Sequence, residues 1–390
     1  MDFTGRKLVV AGAGIGGLAA ALALSQRGAE VVVFEQADAI REVGAGLQIS
    51  PNGVAVLRAL GLERALEAAS MPSHAVVLRD YRKPGEVLRL DLDAHAAGQS
   101  YRLVHRADLI ELLAAAVRRA GVQVRLLQRI DRVEDGPRAH LHMANGADVL
   151  ADLVVGADGL HSKARVALNG ADAPFFTGQV AWRAVVPNEL DLPPESQIFM
   201  GPGRHLVCYP LRNGQLVNIV AVQERRDWAA EGWDHPDDPD NLRAAFSGFE
   251  RTPRALLDLV EDVRLWGLFR HPVARRWHGQ SVAILGDAAH PTLPFMAQGA
   301  NLALEDAWVL ADSLAGAATM REGLRRYQAR RRDRAERVIA AANGNAWKFH
   351  MRPAPVRKAG HMALRLAGAL APERMVRRFD WIYGHDVTAG

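Results

Sequence analysis

A glycine-rich turn near the start of the chain constrains the fold more than any other feature. The turn, Gly12–Gly17, follows a short apolar segment, Lys7–Ala11, that is predicted to be a buried strand. An Ala/Leu-rich segment, Leu18–Arg27, follows and is predicted to be a helix. The glycines of the G-x-G-x-x-G pattern are Gly12, Gly14 and Gly17. Such a turn lets backbone N–H groups approach a pyrophosphate at a helix N-terminus.

The segment after this helix completes a dinucleotide-binding unit. Glu30–Phe34 is rich in β-branched residues and is predicted to be the second strand. Glu35 ends that strand about 20 residues after the glycines, where an acidic side chain can bind ribose hydroxyls. The motif does not by itself distinguish FAD from NAD.

The length and the pattern of strands indicate two domains. A chain of 390 residues exceeds one ordinary core. From about Gln179 short strands are separated by turn signals such as Asn213-Gly214, typical of antiparallel sheet, and the α/β pattern returns at Ser281–Leu285. We therefore predict an α/β fold in which a Rossmann-like domain is interrupted by a mostly antiparallel β domain. The predicted division is 1–73, 99–178 and 268–350 for the first domain, 74–98 and 179–267 for the second, and 351–390 for a C-terminal helical segment.

Composition excludes several classes of protein. The net charge is +4, but the dense basic run lacks interleaved aromatic residues, so we expect a solvated helix face and no nucleic-acid partner. That run comprises Arg325, Arg326, Arg330, Arg331, Arg332, Arg334 and Arg337. The single cysteine, Cys208, excludes an intramolecular disulfide and fits a reducing cytoplasm. No apolar stretch is long enough to span a membrane. The histidines and carboxylates lack metal-ligand spacing, so we expect no metal.

Two further motifs follow predicted strands. Val155–Gly159 contains Asp158 and comes directly after the strand Asp152–Val155. Leu285–Pro291 contains Asp287 and comes directly after the strand Ser281–Leu285. Both place an aspartate at the carboxyl end of a strand, where open α/β sheets bind ligands.

The three ordered motifs resemble those of the class A flavoprotein aromatic hydroxylases, the p-hydroxybenzoate hydroxylase-like family. The resemblance runs from Lys7 to about Ala311. Within the family the chain is most similar to the salicylate, 3-hydroxybenzoate and 6-hydroxynicotinate hydroxylases. The segments that carry this similarity are Gly44–Asn52, His105–Leu109 and Met296–Asn301.

The resemblance implies a non-covalent FAD cofactor, with NADH or NADPH as co-substrate. It implies that Glu35 binds the adenosine ribose of FAD and that Arg106 reaches the phosphates or the ribityl chain. Asp287 would bind a ribityl hydroxyl. Backbone N–H groups at a helix N-terminus would meet the flavin pyrimidine ring, where the helix dipole stabilises negative charge. The implied cofactor-binding residues are Gly12, Gly14, Gly17, Glu35, Arg106, Asp158, Gly159, Asp287, Gly299, Ala300 and Asn301. Gln36–Arg41 carries one cation, which favours NADH because a 2′-phosphate requires cations.

The implied reaction is hydroxylation of a small aromatic acid of the hydroxybenzoate, salicylate or hydroxynicotinate type, with O2 activated as a flavin hydroperoxide. A phenolate reacts far better than a phenol, so a base is needed near the substrate hydroxyl. His205 and Tyr209 share one face of a predicted strand and lie about 13 Å apart along it. We expect His205 to be the base, Tyr209 to orient the ring, and Gln298 to be a second polar contact.

Alternatives stay open at this point. The chain could be a monooxygenase of the same fold that acts on a quinone precursor, a polyketide or an alkene. It could also be a non-catalytic binding module, like the escort proteins of small GTPases. His205 could be a surface histidine and Tyr209 a core tyrosine. Trp182 could line the pocket or belong to the core. We expect a monomer or homodimer without integral membrane association.

Overall fold

The computed structural model describes residues 1–40, 45–225 and 235–389, except for the side chains of 345–347. Two residues used in the predictions above, Arg41 and Gly44, lie outside these ranges. Within the described residues the strands are β1 (Lys7–Ala11), β2 (Glu30–Phe34), β3 (Gly46–Ile49), β4 (Ser70–Pro72), β5 (Ala75–Asp80), β6 (Glu86–Asp91), β7 (Arg102–His105), β8 (Gln123–Arg125), β9 (Ile130–Glu134), β10 (Ala139–Met143), β11 (Asp148–Ala151), β12 (Leu153–Gly156), β13 (Phe175–Pro187), β14 (Glu195–Gly201), β15 (Arg204–Leu211), β16 (Leu216–Glu224), β17 (His235–Asp237), β18 (Val263–Arg270) and β19 (Val282–Ile284).

Helices connect the strands and form most of the C-terminal part of the chain. They are α1 (Ile15–Ser25), α2 (Pro51–Ala59), α3 (Glu63–Ala69), α4 (Leu92–His95), α5 (Arg106–Arg119), α6 (Lys163–Asn169), α7 (Pro239–Phe246), α8 (Arg251–Asp258), α9 (Gly299–Ala315), α10 (Met320–Ala346), α11 (Ala354–Leu370), α12 (Pro372–Arg377) and α13 (Asp380–Tyr383). Short 3-10 turns lie at Gly286–Ala288, Pro294–Met296 and Trp347–Phe349. Among the residues described, no helix combines the length and apolar character needed to cross a bilayer.

A parallel sheet forms the base of the molecule. Its strand order is β19-β12-β1-β2-β8, and each neighbouring pair is parallel. The three strands β19, β12 and β1 are short apolar runs that are almost fully buried, as expected when helices cover both faces of a sheet. Helix α1 begins at Ile15, earlier than the predicted Leu18, because Gly14 already serves as its N-cap.

An eight-stranded sheet forms the second large unit. Its order is β17-β18-β13-β16-β15-β14-β5-β6, and among the described residues β14 with β5 is its one parallel pair. The β15–β16 hairpin turns through Arg212, Asn213 and Gly214, which all have positive φ, as the Asn-Gly signal predicts. The α/β fold with an inserted, mostly antiparallel sheet is confirmed. The positions of the domain boundaries stay a prediction.

The prediction of a solvated arginine face on α10 is wrong at its centre. Arg331 is fully buried, and its guanidinium contacts Glu305 and Asp306 of α9. Arg334 is also largely buried and contacts Glu305. Two adjacent buried carboxylates would be strongly unfavourable without cations, so α10 supplies them.

Candidate active site

A cavity of about 790 Å³ lies between the carboxyl ends of the parallel strands and the antiparallel sheet. This volume is in the usual range for cofactor and ligand sites, about 300–1,000 Å³. The predicted residues that line it are Gly12, Gly14, Glu35, Arg106, Asp158, Gly159, His205, Tyr209, Asp287, Gln298, Gly299 and Ala300. Gly17 and Asn301 do not line it within the described part of the chain. The structure thus brings most of the predicted residues to one place.

The glycine turn has two tight positions and one open position. A Cβ on Gly12, whose φ is +102°, would lie 2.5 Å from the Ala157 carbonyl oxygen, and one on Gly17 would lie 2.0 Å from the Gly12 oxygen. A Cβ on Gly14 would meet nothing within 4 Å, because Gly14 faces the cavity. N–H groups of a helix's first turn have no intrahelical partner, so the start of α1 fits a phosphate.

Glu35 supports this turn from the end of β2. Its carboxylate accepts hydrogen bonds from the backbone N–H groups of Ala13, at 2.8 Å, and Ala37, at 2.9 Å. The same side chain lines the cavity. Glu35 therefore fixes the turn and leaves a carboxylate beside it for ribose hydroxyls.

Arg106 and Asp287 form a charged pair of opposite sign in the cavity. Burial lowers the pKa of Arg106, and Asp287 opposes this effect. Asp287 is accessible from the cavity but surrounded by protein, so burial raises its pKa, against the influence of His290 and Arg106. A polar chain such as ribitol could bind between these two groups.

Asp158 lines the cavity and also fixes the loop that follows β12. Its carboxylate accepts hydrogen bonds from the Ser162 hydroxyl, at 2.5 Å, and the Lys163 N–H, at 2.8 Å, at the start of α6. Gly159 follows with φ +71°, a conformation that favours glycine. The aspartate therefore holds the shape of the loop that lines the cavity.

The N-terminus of α9 faces the cavity through Gly299 and Ala300. Asn301 anchors this helix: its amide nitrogen donates to the Gln48 oxygen at 3.0 Å, and its amide oxygen accepts from the Ser50 N–H at 3.1 Å. Its side chain is thus used for positioning, and the free N–H groups belong to the first turn of α9.

Gln298 lines the cavity, but its amide is engaged elsewhere. The nitrogen donates to the Ser50 hydroxyl at 3.0 Å, and the oxygen accepts from Asn52 at 3.0 Å. Asn52 in turn donates to Glu305, the buried partner of Arg331. Gln298 therefore joins the cavity to the buried ion cluster beneath α9.

The antiparallel sheet supplies the apolar end of the cavity. His205, Val207 and Tyr209 line it from one face of β15, while Leu206 and Cys208 lie in the core on the other face. The surrounding wall is apolar and includes Val220, Val222, Leu268, Leu293 and Phe295. Trp182 is fully buried in the core, where its indole N–H donates to Asp237 at 2.6 Å.

His205 is not a surface histidine. It is 3% exposed, and its Nδ1 lies 2.6 Å from Nε2 of His350, whose Nδ1 lies 3.0 Å from Glu224 Oε1. Burial lowers the pKa of His205 well below its ordinary value, and His350 lowers it further. Sequence reasoning missed His350, which follows 145 residues later in the chain.

Arg183 is a second residue that sequence reasoning missed. It lines the cavity from β13, and its guanidinium lies 4.5 Å from the centre of the Trp266 ring. Among the described residues its Nε has no hydrogen-bond partner. Burial lowers the pKa of Arg183 to about 10, an effect that Tyr209 opposes. A half-buried guanidinium with an unused donor is suited to bind an anion.

The buried ion cluster lies behind the cavity. Its members are His290, Glu305, Asp306, Arg331 and Arg334. Burial would raise the pKa of Asp306, but His290 and Arg331 lower it to about 2. His290 is fully buried and bonded to Asp306, so its side chain is committed to this cluster.

Within the part of the chain that the structure describes, one group of possible metal ligands lies near the surface, on β9 and β10. It consists of Glu134, His140 and His142. The Arg132 guanidinium contacts both Glu134 and His142 there, at 2.9 Å from the latter's Nε2. A cation thus already accompanies these groups. The absence of a metal stays a prediction.

An elongated dinucleotide fits three features of the cavity. These are the open position at Gly14, the charged pair of Arg106 and Asp287, and the free N–H groups at the start of α9. They define a dinucleotide-binding protein of the Rossmann type. A family model described as "FAD binding domain" matches residues 6–342. The chain belongs to this family and is a class A FAD-dependent aromatic monooxygenase.

Named relatives and a solved structure match over almost the whole chain. The 3-amino-4-hydroxybenzoate 2-monooxygenase PtnB3 of Streptomyces platensis is 34% identical, over 98% of this chain and 96% of that protein. The 3-hydroxybenzoate 6-hydroxylase 1 of Aquipseudomonas alcaligenes is 31% identical, over 98% of each. The structure of Klebsiella pneumoniae HpxO complexed with FAD and uric acid has a TM-score of 0.85 and 27% identity, over 96% of this chain and 97% of that one.

These comparisons confirm the predicted family, the FAD cofactor and the enzyme class. They do not favour a non-catalytic binding module. The roles of individual residues remain predictions, and the residues that fit FAD are those described above. When bound, FAD supplies the activated oxygen, with NAD(P)H as reductant, and the chain supplies binding, orientation and proton transfer.

Proposed function

We propose that the enzyme hydroxylates a small aromatic carboxylic acid that carries a ring hydroxyl. The observation that carries this proposal is the joint presence of His205, Tyr209 and Arg183 at the apolar end of the cavity. The relatives named for aminohydroxybenzoate and hydroxybenzoate hydroxylation support the same substrate class.

Arg183 is the proposed partner of the substrate carboxylate. The half-buried guanidinium has hydrogen-bonding capacity to offer at Nε, and the Trp266 ring holds it in place. A carboxylate bound there would be desolvated with its counterion already present, which makes the contact strong. The apolar walls would hold the ring and exclude water.

His205 is the proposed base for the ring hydroxyl. Because burial keeps the imidazole neutral, Nε2 can accept a proton. Burial also raises the pKa of Tyr209, so its hydroxyl stays protonated and can donate a hydrogen bond that orients the substrate. The proposed substrate therefore bridges Arg183 at one end and His205 at the other.

A panel of hydroxybenzoates, aminohydroxybenzoates and hydroxynicotinates tests the proposal. We expect a hydroxylated product and substrate-stimulated NAD(P)H oxidation with at least one of them. Arg183→Met should raise KM for that acid about 10²-fold, since losing a buried charge partner costs about 2–5 kcal/mol. KM for the matching phenol without a carboxylate should change little.

Arg225→Met is the matched control for this substitution. Arg225 also stacks on a tryptophan, Trp182 at 4.9 Å, but it does not line the cavity among the described residues. The control should keep the KM of the unmodified enzyme. If Arg183→Met has the same KM for the acid as the unmodified enzyme, the role of Arg183 is contradicted. The same holds if the substitution raises KM equally for the acid and the phenol.

A larger apolar substrate is the second candidate. An adjoining cavity of about 500 Å³ shares Phe295, Phe349 and Ile198 with the first, and α11 and α12 cover it. Including bulky aromatic acids and non-benzoate aromatics in the panel tests this candidate. A preference for them would favour it. A monomer or homodimer in the cytoplasm remains our expectation.

A further inference from the structure

We propose that His350 and Glu224 form a proton relay that carries a proton from His205 to solvent. This inference rests on the proposed role of His205 as the base. In this relay His350 and Glu224 are positioning residues, since they act through His205.

The relay is a continuous chain of contacts from the cavity wall to the surface. His205 Nδ1 lies 2.6 Å from His350 Nε2, and His350 Nδ1 lies 3.0 Å from Glu224 Oε1. Arg352 Nε donates to the other oxygen of Glu224 at 2.9 Å. The histidines are 3% and 4% exposed, whereas the side chain of Glu224 is 30% exposed and that of Arg352 is 67% exposed. Glu224 is thus the first member in contact with solvent.

Glu224 also determines which ring nitrogens carry protons. An ionised carboxylate can only accept, so Nδ1 of His350 must hold its proton and donate it. Nε2 of His350 is then an acceptor, which requires that Nδ1 of His205 be the donor. This leaves the lone pair of His205 on Nε2, the nitrogen that would face a substrate hydroxyl. One carboxylate therefore sets both tautomers and makes His205 ready to accept a proton.

The transfer balances at each atom. The substrate O–H bond breaks, and an N–H bond forms at Nε2 of His205. The proton on Nδ1 of His205 moves to Nε2 of His350, and the proton on Nδ1 of His350 moves to Glu224. The resulting carboxylic acid releases a proton to water. Return of a proton to the ring oxygen before product release runs these steps in reverse and restores both tautomers.

The surroundings favour passage of the proton over its storage. Phe295 and Phe349 flank the His205 ring at 5.9 and 5.3 Å, so a cation resting there would be poorly solvated. Among the described residues, His350 is the hydrogen-bond partner of the His205 side chain. Burial lowers the pKa of His350; Glu224 opposes this, whereas Arg352 and Arg204 add to it.

The test follows ionisation of a bound probe by stopped flow. 3-Hydroxy-4-nitrobenzoate has a coloured phenolate, and it is mixed with the FAD-loaded enzyme at a pH below its solution ionisation, with a pH indicator in weak buffer. We expect His350→Ala and Glu224→Gln to slow phenolate formation and proton release about 10²-fold, within the range for lost proton-transfer groups. Probe affinity should stay within about threefold, because neither residue contacts the substrate. Added imidazole should restore the rate in His350→Ala.

His361→Ala is the matched control. His361 is also a buried histidine near the C-terminus, paired with a carboxylate, Asp80, at 3.2 Å, but it has no contact with His205. This control should keep the rate of the unmodified enzyme. Equal slowing in the control, or absence of imidazole rescue, would show a structural effect and overturn the relay.

The experiment distinguishes failure of the relay from failure of the base role of His205. If the unmodified enzyme and Glu224→Gln form phenolate at the same rate, the relay is wrong and the base role of His205 survives. If the unmodified enzyme binds the probe but forms no phenolate, the base role fails and the relay fails with it. Glu224→Gln changes a partly exposed side chain at the end of a strand, so this variant should fold. It can therefore test the relay even if His350→Ala does not fold.

Discussion

Replacing Gly14 with valine should weaken FAD binding by orders of magnitude while leaving the fold intact. Gly14 has an extended backbone with φ −76°, which valine can adopt, and a Cβ there meets nothing within 4 Å. The valine side chain would therefore project into the cavity, where the pyrophosphate is expected. Substitutions at Gly12 and Gly17 would disturb the fold as well as FAD binding, because a Cβ at either position would collide with a backbone oxygen.

The size of the effect follows from the bonds that are blocked. If the isopropyl group displaces the phosphates from two N–H donors at the start of α1, the loss is about 3–6 kcal/mol, at about 1.5–3 kcal/mol per charge-assisted bond. The Kd for FAD should then rise about 10²- to 10⁴-fold. Titration of the apoprotein with FAD, followed by flavin fluorescence, measures Kd, and circular dichroism measures Tm.

Gly248→Val is the matched control for this substitution. Gly248 follows α7, and a Cβ there also meets nothing within 4 Å, yet it does not line the cavity among the described residues. The control should keep the Kd of the unmodified protein. The reasoning is refuted if Gly14→Val binds FAD within threefold of the unmodified protein. It is equally refuted if Gly14→Val no longer folds.

The remaining predictions concern the base, the ion cluster and the reductant. His205→Ala should keep FAD and NADH oxidation but lose product by about 10²–10⁴-fold, with H2O2 rising instead, and Tyr209→Phe should lose less; product and peroxide assays check this. The lowered pKa of Asp306 means that its stabilising contribution is complete above about pH 4 and is lost as pH falls towards 2. In Asp306→Asn the free energy of unfolding, measured with urea at a series of pH values, should therefore fall less between about pH 4 and pH 2 than in the unmodified protein. An equal fall in both proteins would contradict this. NADH should give a higher kcat/KM than NADPH, and a tenfold preference for NADPH would reverse that expectation.

The local motifs were predictable because each depends on neighbours in the sequence. The turn at Gly12–Gly17 and the acidic ends at Glu35 and Asp287 follow from backbone geometry at strand ends, and the structure gathers them in one cavity. The alternation along β15 likewise indicated that His205 and Tyr209 share a face.

The residues that were missed depend on contacts between distant segments. Arg183 is a single cation on a strand, and only the folded sheet shows that it lies beside Tyr209 and over Trp266. His350 reaches His205 from a segment beyond α10, which no local pattern indicates. The sequence predicts a solvated Arg331 because its neighbours are arginines, while its carboxylate partners belong to another helix.

The buried Arg331 also limits how α10 can dock on α9. The buried stripe of α10 is otherwise apolar or aromatic and consists of Leu324, Tyr327, Arg331, Ala335, Val338 and Ala342. A slip by one helical turn, about 5.4 Å, would place Tyr327 or Ala335 against the two carboxylates. The two carboxylates would then lose Arg331, the buried cation that they share, at a cost of several kcal/mol. Apolar packing alone tolerates such sliding, so the ion cluster selects one alignment. Substitution of one residue among positions 305, 306 and 331 should consequently destabilise the protein more than a matched substitution of all three.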